Sequence, residues 1–531
     1  MRIKPFNLWA VLSVALAVCL LAPNLDVLLR IFQPPNETWQ HIKEYLLVDY
    51  LFSTVVVTAV TVLFAIAIGT SLAWLVSAYD FPGRSFFRWA LILPLAIPPY
   101  IGAYTYAGML SYTGSVQVFL RDTLHLTVNQ RFFDIMSIPG TVFIFTLFLF
   151  PYVYMVVRSF LEKQSAGVIE SARLMGSGSA ALFFRIVLPM SRSVIVAGAS
   201  LVALEVLSDY GVVSYYGVNT FSSAIFKSWI SFGDIDAAVR LAAMLMVTVL
   251  LVLALEKRLR GRKKYGFATT KVRPIRRKKL AGCRAVPVLL YILLVFFLGF
   301  LVPVLQMAAW GAMSYGNLYY RDFFRMIGNS VLLAAVSSVL IVLAALIVAN
   351  YARLYVNPLS KFCARISVMG YSIPGAVVAI TMILFFVDLD RRFGWSLSAS
   401  LFVLIFAYLV RYLAIGFQNI EGGYEKIGNK FTEASRTMGY GVTRTFFKIE
   451  LAMLRPAILS AFALSFVDII KELPLVLNLR PFNFHTLSTK VFDYANDEMI
   501  PESSIPSLVI ILVSFIAIYA LHRVADREET Q

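Results

Sequence analysis

Four carboxylates interrupt the apolar runs of this sequence: Glu205 and Asp209 in LEVLSDYGVV, and Asp468 and Glu472 in FVDIIKELPL. Each pair is spaced i, i+4, so on a helix both acids share one face. A charge inside a membrane is costly and marks function by default. Carboxylate and phenolate oxygens suit hard cations, and Tyr210, Tyr215 and Tyr216 follow Asp209 closely. The chemistry these residues offer is a path for a cation. Four acids without four buried bases argue against an anionic cargo. Two plainer readings stand beside this one. The acids can cap helix ends or bind neighbouring helices, and Lys471, three residues after Asp468, can neutralise it.

The elements that must position them are membrane helices. The chain has 531 residues, of which 59% are hydrophobic and 15% charged, with a mean hydropathy of +0.77. A soluble domain carries about 25% charged residues. The net charge of +17 is concentrated, with thirteen Lys and Arg and no acid between Lys257 and Arg284. Between long apolar runs, such a segment is a topology determinant that stays cytoplasmic before it is a nucleic-acid arm. Cys19, Cys283 and Cys363 form no CxxC and imply neither disulfide framework nor zinc site. The apolar run after MRIK is too long for a cleaved signal peptide and reads as a first membrane helix.

A crossing helix needs about 20 apolar residues. Runs of that kind fall near 8–29, 50–78, 88–112, 139–160, 191–213 and 237–255, and again near 286–310, 328–352, 365–387, 397–417, 455–473 and 505–522. The expectation is an all-α polytopic protein of about twelve spans, with a six-span repeat over 1–256, a basic cytoplasmic linker over 257–284 and a second repeat over 285–531. Charge asymmetry puts both termini and the linker in the cytoplasm. The halves would be parallel repeats about an axis normal to the membrane. At ~1.5 Å per residue, the four acids lie roughly 20–28 Å above the cytoplasmic starts of their spans, in the outer part of a core roughly 30 Å thick. They would ring an external mouth. Pro98-Pro99 and Pro374-Gly375 interrupt the third and ninth spans, where kinks are expected. His485, alone in NLRPFNFHTL, reads as a packing or solvated residue.

Two cytoplasmic segments repeat at an offset of 263: ESARLMGSGSAALFFRIVLP from Glu170, and EASRTMGYGVTRTFFKIEL from Glu433. In each, a short helix begins at the glutamate, where a negative charge suits the dipole. Gly176 and Gly178, aligned with Gly439 and Gly441 in the second copy, allow a reversal of the backbone. A second short helix carries Phe183 and Phe184, or Phe446 and Phe447, and in the first copy is ended or redirected at Pro189. The tip is expected to expose Ser, Ala and Gly. Matched copies at symmetric places are more than connectors.

This segment resembles the EAA loop of ABC-transporter membrane subunits, in which E-A-A is followed by a glycine and then by I-x-L-P. Here the copies read Glu170-Ser171-Ala172, Gly176, Ile186-Val187-Leu188-Pro189 and Glu433-Ala434-Ser435, Gly439, Ile449-Glu450-Leu451-Ala452, the second departing at Ala452. The stretches LEVLSDYGVVSYYGVNTFSSAIFKSWISFGD and KELPLVLNLRPFNFHTLSTKVFDYANDE are similar to fused two-domain permeases of ferric-iron importers. The resemblance implies a type I ABC importer permease fold in a bacterial inner membrane. It implies loops that dock into two copies of a cytoplasmic ABC ATPase, and a periplasmic iron-binding protein that delivers substrate. Related fused permeases for thiamine or phosphonate share the architecture. No GxxxxGK[ST] occurs, so ATP would be bound and hydrolysed by a partner; the chain itself would be neither an enzyme nor a cofactor carrier. The second class of reading, a secondary transporter, leaves the matched loops without a role.

The orientation has a direct check. Single cysteines at Ser177, Lys271 and Tyr440 are expected to resist an impermeant thiol reagent added outside intact cells and to react after permeabilisation. Ready labelling from outside at any of them overturns the orientation.

Overall fold

The computed structural model describes residues 8–30, 34–126, 129–163, 167–260, 277–317, 320–355, 357–428 and 430–530. Most of the basic linker lies outside them. Seven helices are long and apolar enough to cross a membrane, and four further apolar pairs are bent by more than 40° at a short break. With α1 (Leu8–Arg30) they account for the expected twelve spans.

In the first half, α2 (Leu47–Ala78) is followed by a broken third span, α3 (Arg84–Ala90) and α4 (Pro99–Leu110). Then come α5 (Ile138–Lys163), α6 (Gly167–Leu174), α7 (Arg192–Ser208), the short α8 (Gly211–Tyr215) and α9 (Ile235–Arg260). The second half repeats the order with α10 (Val286–Ser314), α11 (Tyr320–Leu354), α12 (Pro358–Met369), α13 (Gly375–Phe393) and α14 (Leu401–Ile427). It continues with α15 (Lys430–Thr437), α16 (Arg455–Ile470), α17 (Pro474–Leu479), α18 (Leu487–Asn496) and α19 (Ile500–Thr530).

The prolines do more than kink. The two parts of the third span meet at 88°, and those of the ninth at 113°. A proline drives the residue before it out of the helical region. Ile97 is extended (φ −95°, ψ 112°), as is Ile373 (φ −89°, ψ 120°). The fifth span, expected to run to residue 213, stops at Ser208 and restarts as α8.

Between membrane helices apolar surface supplies no net drive, and small residues let backbones approach. At the α2–α5 crossing, a Cβ on Gly69 would stand 2.8 Å from the Val153 Cβ and 2.9 Å from the Phe150 carbonyl. At the α11–α14 crossing the glycine has changed sides: a Cβ on Gly416, the counterpart of Val153, would lie 3.1 Å from the Ala345 Cβ. The two crossings use the same close approach with the side chain on opposite partners.

The first span of each half belongs spatially to the other. Helix α1 packs against α11, α12 and α13. Helix α10 is tied to the first half by Tyr106 Oη donating to the Leu298 carbonyl (2.6 Å) and by a Ser71–Tyr291 hydroxyl pair (2.8 Å). Near the linker's end, Lys278–Lys279 pairs in parallel with Tyr79–Asp80. The Trp74 ring lies 6.2 Å from both Tyr79 and Phe183, and the Trp9 ring 4.7 Å from Phe446. The start of α1, the end of the linker and both repeated loops therefore share one end of the bundle.

Gly69→Ala is expected to destabilise the α2–α5 crossing by ~1–3 kcal/mol, the usual cost of overpacking. Adding Val153→Gly, which copies the second half's arrangement, should recover most of that loss. Thermal unfolding of the purified protein in detergent reads both, and a double variant no better than Gly69→Ala contradicts the packing.

Candidate functional site

Glu205, Asp209, Asp468 and Glu472 all line one cavity of about 100 Å³ between the halves, beside both proline breaks. Its depth differs from the expected external mouth. Phe148 and Arg411, which also line it, are each ten residues, or ~15 Å, inside the ends of α5 and α14 that face away from the loops. The acids sit within the bundle because α7 ends early, and the chain beyond it folds back as α8.

The acids are not equivalent. Glu205, in the last turn of α7, accepts from the hydroxyls of Tyr371 (3.0 Å) and Tyr152 (3.4 Å), one from each half. Asp209 follows α7, and its Oδ1 accepts from the Val212 amide at 2.8 Å, capping the start of α8. Glu472 caps α17 in the same way, taking the amides of Leu475 at 2.9 Å and Val476 at 3.3 Å. Asp468 holds Lys471 at 2.9 Å. Capping and neutralisation, the plainer readings of the sequence, are both realised, and the cavity still gathers all four side chains. Among the described residues no three His, Cys, Asp or Glu converge as metal ligands would.

Arg411 is the residue that sequence reading missed. Its guanidinium lies 3.6 Å from Glu472, and its Nη1 has no hydrogen-bond partner. The signal was present, since a lone arginine in FAYLVRYLAIGF is an intramembrane charge like the acids. Its counterpart at the offset of 263 is Phe148. Tyr152, Tyr371 and Tyr412 also line the cavity. The phenols singled out from sequence lie elsewhere. Tyr210 packs edge-on against Phe226 at 4.2 Å, Tyr215 against Tyr104 at 4.4 Å, and Tyr216 donates to the Ala103 carbonyl at 3.1 Å. His485 contacts Arg480 through Nδ1 (2.9 Å), on the rim of a second, wider cavity of about 1010 Å³ between the starts of α11, α18 and α19.

The repeated segments form matched helix–turn–helix loops. Helix α6 ends with Gly176 at φ +81°, the Ser177 amide reaching back to the Ala172 carbonyl (3.1 Å). Helix α15 ends with Gly439 at φ +87° and the same bond from Tyr440 to Ser435 (3.2 Å). This is the six-to-one closure that a left-handed residue permits. Glu170 and Glu433 stand in the first turns, with Ala172 buried and Ala434 exposed. Phe446 is buried and Phe183 half-buried, whereas Phe184 and Phe447 face outward.

The first tip exposes Gly176, Gly178, Ser179 and Ala180, and the two tips add large apolar side chains that the sequence reading did not name, with Leu174, Met175 and Met438 at 89%, 79% and 66% exposure. One expectation needs correcting: Pro189 does not end the second short helix, which runs on through Met190 before the chain bends by 73° into α7. The second copy bends by 72° into α16 with Ala452 at the matching place and Pro456 in the first turn of α16.

If the Arg411–Glu472 contact carries weight, the pair is non-additive. Arg411→Met alone should cost the most stability, because it leaves a buried acid without its counter-charge. Combined with Glu472→Gln, a double-mutant cycle of thermal unfolding should give a coupling of ~1–3 kcal/mol. Additive losses would mean that the two groups act independently.

The chain matches the family described as "Binding-protein-dependent transport system inner membrane component" twice, over residues 65–262 and 341–530. It is 26% identical over 482 residues, 90% of each chain, to the Fe(3+)-transport system permease protein FbpB 2 of Haemophilus influenzae. It is 27% identical over 205 residues to the molybdenum transport system permease protein ModB of Escherichia coli, covering 37% of this chain and 87% of that one. To the sulfate transport system permease protein CysW of Escherichia coli it is 23% identical over 276 residues, 49% of this chain and 92% of that one. Two permease domains in one chain, each with a glycine-closed loop at the same end of a helical bundle, make this protein a member of the binding-protein-dependent transport system inner membrane components.

Proposed function

We propose that this chain is the two-domain membrane subunit of an ATP-driven importer of ferric iron. An external binding protein delivers the iron, and two copies of a separate ATPase dock on the loops around Gly176 and Gly439. The observation that carries the reading is the pair of matched loops, with their exposed apolar tips at one end of the bundle. A chain with no phosphate-cradling loop of its own needs such contacts if ATP is to drive it. Iron as cargo is supported by the relative that spans 90% of both chains, and by four carboxylates lining one cavity between the halves. In this reading, the termini and the linker are cytoplasmic, and ATPase closure and separation open the cavity alternately to each side. Arg411 and Lys471 in the same cavity, with relatives named for molybdenum and sulfate, favour an oxyanion as the second reading.

The test is the reconstituted complex. ATP hydrolysis should rise several-fold with iron-loaded binding protein and not with the iron-free form, and radioactive ferric iron should enter vesicles. Entry of molybdate or sulfate instead selects the oxyanion reading. Gly176→Asp and Gly439→Asp strain a left-handed turn by ~1 kcal/mol or more and place a charge where the ATPase would dock. The double variant should remain in the membrane, lose ATPase copurification and cut uptake at least ten-fold. Undiminished uptake rejects the coupling role.

A further inference from the structure

The two loops have the same backbone and different interiors. Beneath the first lie Ile169, Ala172, Leu182 and Val187, all at or below 2% exposure. The counterparts at the offset of 263 are Thr432, Ser435, Thr445 and Glu450, all at or below 8% exposure. An apolar plug in one half is a polar network in the other. Thr432 donates to Glu450 at 2.7 Å, and the hydroxyls of Ser435 and Thr445 meet at 2.8 Å.

The network reaches out of the loop. Glu450 forms a hydrogen-bonded ion pair with Arg353, one residue before the end of α11. The same place in α2 is Ser77, which is buried. Arg353 Nε and Nη1 have no hydrogen-bond partner, so Glu450 supplies the bond that holds the guanidinium, which stacks over the Tyr424 ring of α14 at 4.2 Å. Trp9 of α1 adds a bond from its indole to Thr443 (3.2 Å).

We propose that Arg353, Glu450, Thr432, Ser435 and Thr445 are positioning residues that lock the second loop to α11 and α14, making it the rigid one of two mechanically unequal docking loops. Directed hydrogen bonds and a buried ion pair fit one geometry, and breaking the pair leaves an uncompensated charge. An apolar plug tolerates sliding and repacking with little loss. The proposal rests on the coupling role argued above, but the lock itself is measurable without an ATPase.

The experiment is hydrogen exchange on the full-length permease in lipid nanodiscs. Amides of 445–450 should exchange at least ten-fold more slowly than those of 182–187. Glu450→Val alone strands Arg353 and should lower the folded yield several-fold. The five-fold exchange Arg353→Ser, Thr432→Ile, Ser435→Ala, Thr445→Leu and Glu450→Val installs the first half's interior. It should restore the yield and bring the two segments within three-fold of each other. With the ATPase added, this variant should still bind it and hydrolyse ATP but move at least two-fold less substrate per ATP. Equal exchange in the wild type, or a difference that survives the five-fold variant, overturns the lock. Lost coupling in the Gly176→Asp, Gly439→Asp variant is a separate result that bears only on the docking role.

Discussion

A helix that breaks inside a bilayer frees backbone amides that no water can satisfy, and the protein must supply acceptors. Much of this molecule's centre answers that constraint. Helix α7 stops at Ser208 and α16 at Ile470, and the chain turns back through α8 and α17. Asp209 and Glu472 take the amides that open those short helices. The breaks create room between the halves, and the acids that make the breaks tolerable are the same acids that charge the cavity. A carboxylate held by two amides is already oriented before any cargo arrives. The structural role and the proposed transport role are therefore compatible at this site, since the cap fixes the direction in which the remaining lone pairs point.

The two halves keep one backbone plan by trading side chains across contacts. Gly69 faces Val153 in one crossing, while Ala345 faces Gly416 in the other. Phe148 and Arg411 occupy matching places on the cavity wall. An apolar loop interior becomes a hydrogen-bonded one. The glycine exchange keeps the volume of its crossing, whereas the acid paired with Arg411 has its counterpart in Asp209, which the first half keeps beside Phe148. The pseudo-symmetry is thus one of shape. The charge distribution about the axis is asymmetric, with both cavity cations, Arg411 and Lys471, coming from the second half.

What the sequence made legible follows the same division. The spans, the repeat, the loops and the convergence of Glu205, Asp209, Asp468 and Glu472 could be read from apolar run length and a constant offset, because both are local signals. Arg411 carried an equally local signal that went unused. The 88° and 113° breaks did not follow from the prolines alone, since the same residue in a packed bundle yields either a kink or a break, depending on whether neighbours accept the freed groups. Tyr210 packs on Phe226 away from the cavity that holds Asp209, because adjacency in sequence says nothing about direction once α7 has ended. Tyr152 and Tyr371 reach Glu205 from other helices, and such non-local contacts leave no trace in spacing.

Under the proposed coupling, a push on the second loop would reach the cavity through α16. Helix α16 begins five residues after Glu450 and ends two residues past Asp468. At 16 residues it is ~24 Å long, and it joins the second loop to the Lys471–Asp468 pair without an intervening flexible segment. The chain bends by 72° before it, so in that reading a displacement of the loop along the membrane surface would tilt the helix. Helix α14 runs alongside, with Tyr424 under the Arg353 guanidinium toward one end and Arg411 facing Glu472 farther along. Glu472 itself lies beyond the end of α16, in the break that α17 closes, so the group that α16 carries into the cavity is Asp468, opposite α14, which carries Arg411. Under the proposed coupling, a tilt of α16 against α14 would move Asp468 relative to Arg411, because these two groups are carried on different helices.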